Sequence, residues 1–390
     1  MNNSSWDVII VGGGIMGSSL AYHLTRADNR VKVAVVERDP SYSKSSTTLS
    51  MAGVRLQFGI KENVLISMHA MNVFSTFEQD MAVEGETPDI AFRQEGYLFL
   101  IDEPNRAAAE RALAMQQALG CPVEWWTPKQ ITDHYPLYRP DGFVGGTFGP
   151  KDGHIDAYAV LMGYRSKARA QGTTYFKAEA VTVRTAGGRV TGVDLESGEQ
   201  LTAPIVVNCA GAWGGEVAKT AGVDIPVVPV KRNIYALDTE VKPDGPLPLT
   251  ILPNTLYFRT EVGGLILLGK SLPEDKVGFD FVWERDRFQD TLWPELVEIV
   301  PAWESLRLVR GWAGLYEVNT MDENSILGEW PELKGFYLVN GFSGHGLQQG
   351  PAVGRYICEL ILGTPPTLDL SIFGPTRILE NKPLREIGIV

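Results

Sequence analysis

Paired cysteines, a basic excess and long apolar runs are all missing from this chain of 390 residues. Lys and Arg number 35 against 47 Asp and Glu, a net charge of −12, which argues against nucleic acid and against anionic membrane surfaces while leaving room for a locally basic pocket. The three cysteines, Cys121, Cys209 and Cys358, are an odd number without paired spacing, so neither a disulfide framework nor a zinc site is expected, and no metal at all. They read as reduced, buried small hydrophobes. No apolar run approaches the roughly eighteen residues a membrane helix needs, and the opening "MNNSSWD" has neither a basic nor an apolar leader region. A cytoplasmic enzyme without a transmembrane segment is the expectation.

What is present is ordinary for a globular protein: hydrophobic residues make up 44% and charged residues 21%, and the length suffices for two domains or one interleaved pair. The informative stretch lies near the start. Val8 to Val11 is β-branched, short and bounded by glycine, the pattern of a strand buried on both faces. Residues 15–25 follow at helical spacing, and 31–36 give a second strand-like run ending at Glu37. Between strand and helix, Gly12, Gly14 and Gly17 form G-x-G-x-x-G: a tight turn, an approach for a diphosphate, and close packing of helix on strand. The helix N-terminus then offers free N–H groups to a dianion. Glu37 stands where a carboxylate accepts both hydroxyls of an adenosine ribose, which argues against a 2′-phosphate. These residues by themselves leave FAD and NAD both open.

Further along, Val64, Ile66, Met68, Met71, Val73, Phe74 and Phe77 predict a largely buried helix over 62–77, with His69 as a partly exposed member. "FRQEGYLFLI" reads as a strand and "EPNRAAAERALAMQQALG" as a helix of an inserted domain. "HIDAYAVLMGYRSKARAQG" is an amphipathic helix, short strands with glycine turns follow, and "IVVNCAGAW" restores the apolar-strand and small-residue pattern. "NTLYFRTEVGGLILLGK" carries antiparallel signals and "FQDTLWPELVEIVP" a helix. "GFYLVNGFSGHGLQQGPAVGRYICELILG" is strand, glycine-rich turn and helix. The division that results is a first domain from 1–87, 151–225 and 321–390, interleaved with a second from 88–150 and 226–320.

The first glycine motif with Glu37-Arg38, the middle "NCAGAW" and the late "GFSGHGLQQGPAVG" together resemble the FAD-dependent amino-acid oxidoreductases of the D-amino-acid oxidase and sarcosine oxidase superfamily. The resemblance spans essentially the whole chain. "STTLSMAGVRLQF" and "WAGLYEVNTMDENSILG" are most similar to the branch of the sarcosine oxidase beta subunit and dimethylglycine dehydrogenase, which also holds a mitochondrial complex I assembly flavoprotein. It implies an α/β fold in which a Rossmann-like FAD-binding domain is interleaved with an α+β substrate domain on an antiparallel sheet. It also implies FAD as cofactor, an amino acid as substrate, and oxygen or another electron acceptor. The FAD-binding positions it implies are Gly12, Gly14, Ile15, Met16, Gly17, Glu37, Arg38, Ser46, Thr47, Met51, Val181, Ala210, Gly211, Trp213, Gly344, His345, Gly346, Leu347 and Gln348.

In family members the late glycine turn and the helix after it aim backbone N–H groups at the flavin edge where negative charge accumulates on reduction. Gly344 and His345 are the matching residues; His345 either supports the flavin or fills the turn. Arg55 matches the carboxylate-binding arginine, whose fork suits a carboxylate, and its motif position puts it at the start of the buried helix. Tyr257 and Tyr316 are pocket candidates. Three departures stand out. Leu49 and Gly314 occupy the positions of covalent flavin attachment, so FAD is expected without a covalent link. Leu267 stands where oxygen-activating members carry lysine, with Lys270 nearby but an odd three residues on, towards the opposite strand face. Gln348 replaces a second cation, leaving Lys231, Arg232, Arg259 and Lys270 as candidates for supplementing Arg55. The expected activity is oxidation of a secondary or tertiary amino acid such as sarcosine, iminodiacetate or another N-substituted glycine. Oxidation of a primary D-amino acid or 2-hydroxy acid, and a non-catalytic flavoprotein subunit or assembly factor, are the alternatives.

Overall fold

A computed structural model describes residues 4–386. Its centre is the strand Val8–Val11, buried at every position. Both neighbours run parallel to it: Val8 faces Ile205 on one side and Val33 on the other. The full sheet runs in the order 326–329, 336–340, 205–208, 8–11, 33–37 and 174–177, parallel except for the antiparallel edge pair 326–329 and 336–340. Strands covered on both faces need apolar side chains in both directions, hence the unbroken β-branched runs. On one face lie the helices Ile15–Ala27, Lys61–Asp80, Ala157–Ala170 and Gly346–Leu362, sharing a core with Val8, Ile10, Val33 and Val35. Ile9, Val11, Ala34 and Val36 point the other way, onto a small sheet of residues 180–186, 189–195 and 200–202 joined by 4–5.

The second sheet has eight strands in the order 307–319, 227–238, 266–270, 256–260, 249–251, 97–101, 145–149 and 124–126. Every pairing is antiparallel except 249–251 with 97–101. The two-residue period sorts its side chains by face. Leu98, Leu100, Tyr235, Leu237, Leu256, Phe258 and Leu268 pack against Phe288, Leu292, Leu296 and Trp303, each such buried side chain contributing about 1.5–3 kcal/mol. Tyr97, Phe99, Ile251, Tyr257 and Leu267 point to the opposite face, where Met51 meets them. The fold is therefore a mixed α/β architecture with a parallel sheet and a large antiparallel sheet, and the strands of the parallel sheet are drawn from three separated stretches of chain.

Two local expectations are corrected. The second strand begins at Val33 rather than at residue 31. Arg55 does not open the buried helix, which starts at Lys61; it follows a two-residue strand, Gly53–Val54, paired antiparallel with Gly153–His154. That pairing holds the chain extended, so Arg55 reaches sideways under the large sheet instead of along a helix. The three cysteines are buried and free, and among the described residues no helix is long and apolar enough to cross a membrane.

Candidate active site

The ends of strands 8–11, 33–37 and 205–208 open into a cavity of about 400 Å³. Its floor is shaped by what glycine permits. Gly12 has φ +99°, and a Cβ there would lie 2.3 Å from the Cys209 carbonyl oxygen; one on Gly17 would lie 2.0 Å from the Gly12 oxygen. Gly14, by contrast, would meet only the Thr47 hydroxyl at 3.9 Å, so the space beside the helix start is open. Glu37 closes one end: its carboxylate accepts the Gly13 N–H at 2.8 Å and the Asp39 N–H at 2.8 Å. Burial pushes its pKa up, and these two N–H bonds work against that shift. Arg38 lies 3.7 Å over the Trp213 ring, which also stacks on Phe279 at 5.1 Å and Phe281 at 6.4 Å between centroids.

Gly12, Gly14, Ile15, Met16, Glu37, Arg38, Ser46, Thr47, Val181, Ala210, Gly211 and Trp213 all line this cavity. Gly17 does not; it sits beneath, where the helix crosses the strand. A turn of free N–H groups, a carboxylate at the end of the second strand and an aromatic-lined mouth fit the diphosphate, ribose and adenine of FAD. Sequence reasoning missed Glu317 and Cys209, which also line it. Both lie within quoted motifs, Cys209 in "NCAGAW" and Glu317 in "WAGLYEVNTMDENSILG", but only the tertiary structure shows that they face this cavity.

A second, smaller chamber of about 80 Å³ lies under the large sheet. Arg55, Tyr257, Tyr316, Gly344, His345, Leu347, Gln348 and Met51 line it, together with Tyr97. Residues separated by almost three hundred positions thus share one wall. Gly344 has φ +104°, and a Cβ there would lie 2.3 Å from the Tyr316 ring, so this turn and that ring accept no larger residue. Gly346 packs on Phe342 and Met16 instead of facing the chamber. His345 is buried, which lowers its pKa to about 3 with Arg55 adding to the effect. It is a neutral imidazole in edge contact with Phe58.

Arg55 is 6% exposed, and its guanidinium sits 3.9 Å over Phe58 and 5.3 Å from Phe99. It donates to the Gln57 carbonyl, and its own backbone N–H donates to Gln348 Oε1 at 2.6 Å. Gln348 thereby fixes the backbone of Arg55. Asp152 holds the same segment by accepting Leu56 N–H at 2.9 Å and Gln57 Nε2 at 3.0 Å. Tyr257 and Tyr316 are hydrogen-bonded side chain to side chain. Tyr97, which sequence reasoning missed, carried a signal in the alternation of "YLFLI", but only the sheet reveals which face is the chamber.

The structure does not bring Lys270 to this site. It pairs with Leu256, on the sheet face away from Tyr257 and Leu267, and its ammonium lies 2.5 Å from Glu295. The other supplementary cations are engaged as well: Lys231 with Asp280 and Glu284, Arg232 with Asp275, Arg259 with Glu261. Among the described residues Arg55 is the one Lys or Arg lining the chamber. Leu49 and Gly314 are neighbours, a Cβ on Gly314 falling 3.1 Å from that of Leu49, so neither adjoining position offers a nucleophile. Beyond Phe58 and Phe99 the same sheet face continues into an apolar trough of about 200 Å³ beside Ala108, Ala109 and Ala112, with Ile251 common to both spaces.

Similarity to known proteins agrees with this geometry. The chain is 36% identical to FAD-dependent oxidoreductase domain-containing protein 1 of Xenopus laevis, across 98% of this chain and 85% of that one. It is 27% identical to mitochondrial dimethylglycine dehydrogenase of Rattus norvegicus, across 95% of this chain and 44% of that protein. The crystal structure of L-proline dehydrogenase from P. horikoshii superposes with a TM-score of 0.87 at 26% identity, covering 98% of this chain and all of that one. The family model described as FAD dependent oxidoreductase, DAO, matches residues 7–360. A dinucleotide cavity, a glycine turn against a tyrosine and a match over nearly the whole length converge: the chain belongs to the DAO family of FAD-dependent oxidoreductases.

Proposed function

We propose that the protein oxidises the C–N bond of a small secondary or tertiary amino acid, such as sarcosine, iminodiacetate or another N-substituted glycine, with FAD held non-covalently. The observation that carries this reading is Arg55, a buried guanidinium held between aromatic rings and facing a chamber with three tyrosines beside the glycine turn. An arginine cannot shed its charge, and its fork matches a carboxylate bidentately. Bound FAD would supply a two-electron acceptor for the hydride leaving the substrate α-carbon, and water would then hydrolyse the resulting imine, or the iminium ion in the case of a tertiary amine.

The chain's own residues bind and orient. Arg55 fixes the carboxylate, Tyr257 and Tyr316 offer hydroxyls to the amine side, and the turn at Gly344 with the start of the helix Gly346–Leu362 presents backbone N–H groups where negative charge develops, the His345 N–H itself being bonded to the Phe342 carbonyl. His345 supports that turn as a neutral ring. No side chain needs to take a proton from the α-carbon, because the α-hydrogen leaves with its electron pair as hydride. The chamber of about 80 Å³ suits a glycine-sized core, and the adjoining trough offers room for a longer apolar substituent. Dimethylglycine dehydrogenase and L-proline dehydrogenase among the similar proteins are named for substituted amino acids, which favours this class over primary D-amino acids and 2-hydroxy acids. Leu267 in the chamber-facing row leaves the acceptor, oxygen or another oxidant, as a separate measurement.

The test is anaerobic addition of N-substituted glycines, D-amino acids and 2-hydroxy acids to the flavin-loaded protein. Bleaching by the first group alone supports the proposal. Bleaching only by the others moves the substrate class, and bleaching by none points to a flavoprotein subunit without catalysis. Acid precipitation should leave the yellow colour in the supernatant; a yellow pellet means a covalent link.

A further inference from the structure

Glu317 is a carboxylic acid that neither the fold nor the proposed chemistry accounts for. It belongs to the long strand Arg307–Asn319, opposite Pro229, and its side chain forms part of the dinucleotide cavity wall near Cys209 and Val339. The residue is half-buried and lines that cavity. Its Oε2 accepts the Gly341 N–H at 3.1 Å, and its backbone oxygen accepts the Ser343 N–H at 3.1 Å. The acid is thus tied at two points to the turn that carries Gly344 and His345.

No cation faces it. Pro229 lies across the strand pair, the Cys209 thiol is the titratable group on the neighbouring strand end, and Asn340 and Ser343 are uncharged. The cations lining the same cavity are Arg38 and Lys44; Arg38 stacks on Trp213 and pairs with Glu179, and Lys44 sits over Phe281. A carboxylate held by the Gly341 N–H and the Asn340 amide, with no counter-charge, is costly to enclose. Burial raises its pKa to about 8, before any cofactor displaces the remaining water. FAD brings two phosphate charges into the same cavity and would add like-charge repulsion.

We propose that Glu317 is the proton-bearing residue of the cofactor site: its carboxyl is neutral when FAD binds and donates a hydrogen bond to the dinucleotide, so FAD affinity declines as the acid ionises. The proposal rests on FAD as the occupant of the cavity. Linkage fixes the sign. If the bound state retains the proton and the free protein loses it, the dissociation constant is flat at low pH and rises about tenfold per pH unit above the free protein's titration, with one proton taken up per FAD bound.

The experiment titrates flavin-stripped full-length protein with FAD at constant ionic strength, following flavin fluorescence from about pH 6 to about pH 9.5. Glu317→Gln, which keeps the shape and cannot ionise, should bind as tightly as the native protein near pH 6.5 and show a much flatter profile. Calorimetry near pH 8.5 in buffers of different ionisation enthalpy should show proton uptake for the native protein and none for the variant. A flat native profile, or an upper-pH loss that persists in Glu317→Gln, overturns the proposal. Should the variant fail to fold, the native proton uptake decides: no proton, no role. Absence of FAD binding at every pH would instead overturn the cofactor assignment itself.

Discussion

Truncating Arg55 is the sharpest perturbation of the chamber. The guanidinium is nearly enclosed, with Phe58 at 3.9 Å, Phe99 at 5.3 Å and the Gln57 carbonyl as hydrogen-bond acceptor, so water cannot replace it cheaply. Removing one partner of a buried charge pair costs roughly 2–5 kcal/mol, equivalent to roughly 30- to 4,000-fold in the dissociation constant of a carboxylated ligand. Arg55→Lys keeps a charge but loses the fork; one charge-assisted hydrogen bond, about 1.5 kcal/mol, predicts about tenfold. Truncation also leaves a gap between two rings, so Arg55→Met, which fills the space without charge, separates packing from electrostatics. The assay is anaerobic flavin reduction by the best amine found for the native protein, at equal flavin content, with melting temperature as control. Half-saturation should worsen in the order Lys, then Met and Ala together, while the flavin spectrum barely moves. If Arg55→Met binds the amine within twofold of the native protein, the carboxylate is held elsewhere; if the variants lose flavin, Arg55 belongs to the cofactor cavity.

Glu37→Ala should weaken FAD retention by roughly 1.5–3 kcal/mol, the value of charge-assisted hydrogen bonds; full flavin content after dilution and gel filtration would remove Glu37 from the ribose. Lys270→Met, despite breaking the 2.5 Å contact with Glu295, should leave the amine half-saturation unchanged, and a tenfold or greater rise would put Lys270 back in the reaction. Asp152, fully buried with a pKa raised to about 7 by burial, is neutral in the folded chain and ionised in the unfolded one at pH values between the ordinary carboxyl value and about 7. Its stabilising contribution is therefore present below the unfolded carboxyl value and lost as pH rises through about 7. Asp152→Asn should gain on the native protein by on the order of 2 kcal/mol between pH 5 and pH 8, read as urea midpoints; an equal difference at both pH values refutes the burial argument.

The amino-acid sequence by itself determined the elements and the cofactor class. Strand Val8–Val11, helix Ile15–Ala27 and the glycines between them are specified by residues within about thirty positions, because buried parallel strands demand apolar runs and a phosphate turn demands missing side chains. The same locality made Glu37 and the glycine turn at Gly344 readable, and the opposite pointing of Lys270 followed from the two-residue period alone. Tertiary structure decided what lies across from what. Arg55 was legible as a residue but misplaced by a helix start, because the extended path that positions it comes from pairing with Gly153–His154, a contact spanning about a hundred residues. Tyr97 and Glu317 were not legible as site residues. Alternation shows that a strand has two faces, and only the packing of the large sheet against the glycine turn decides which face, and which carboxyl, lines a cavity.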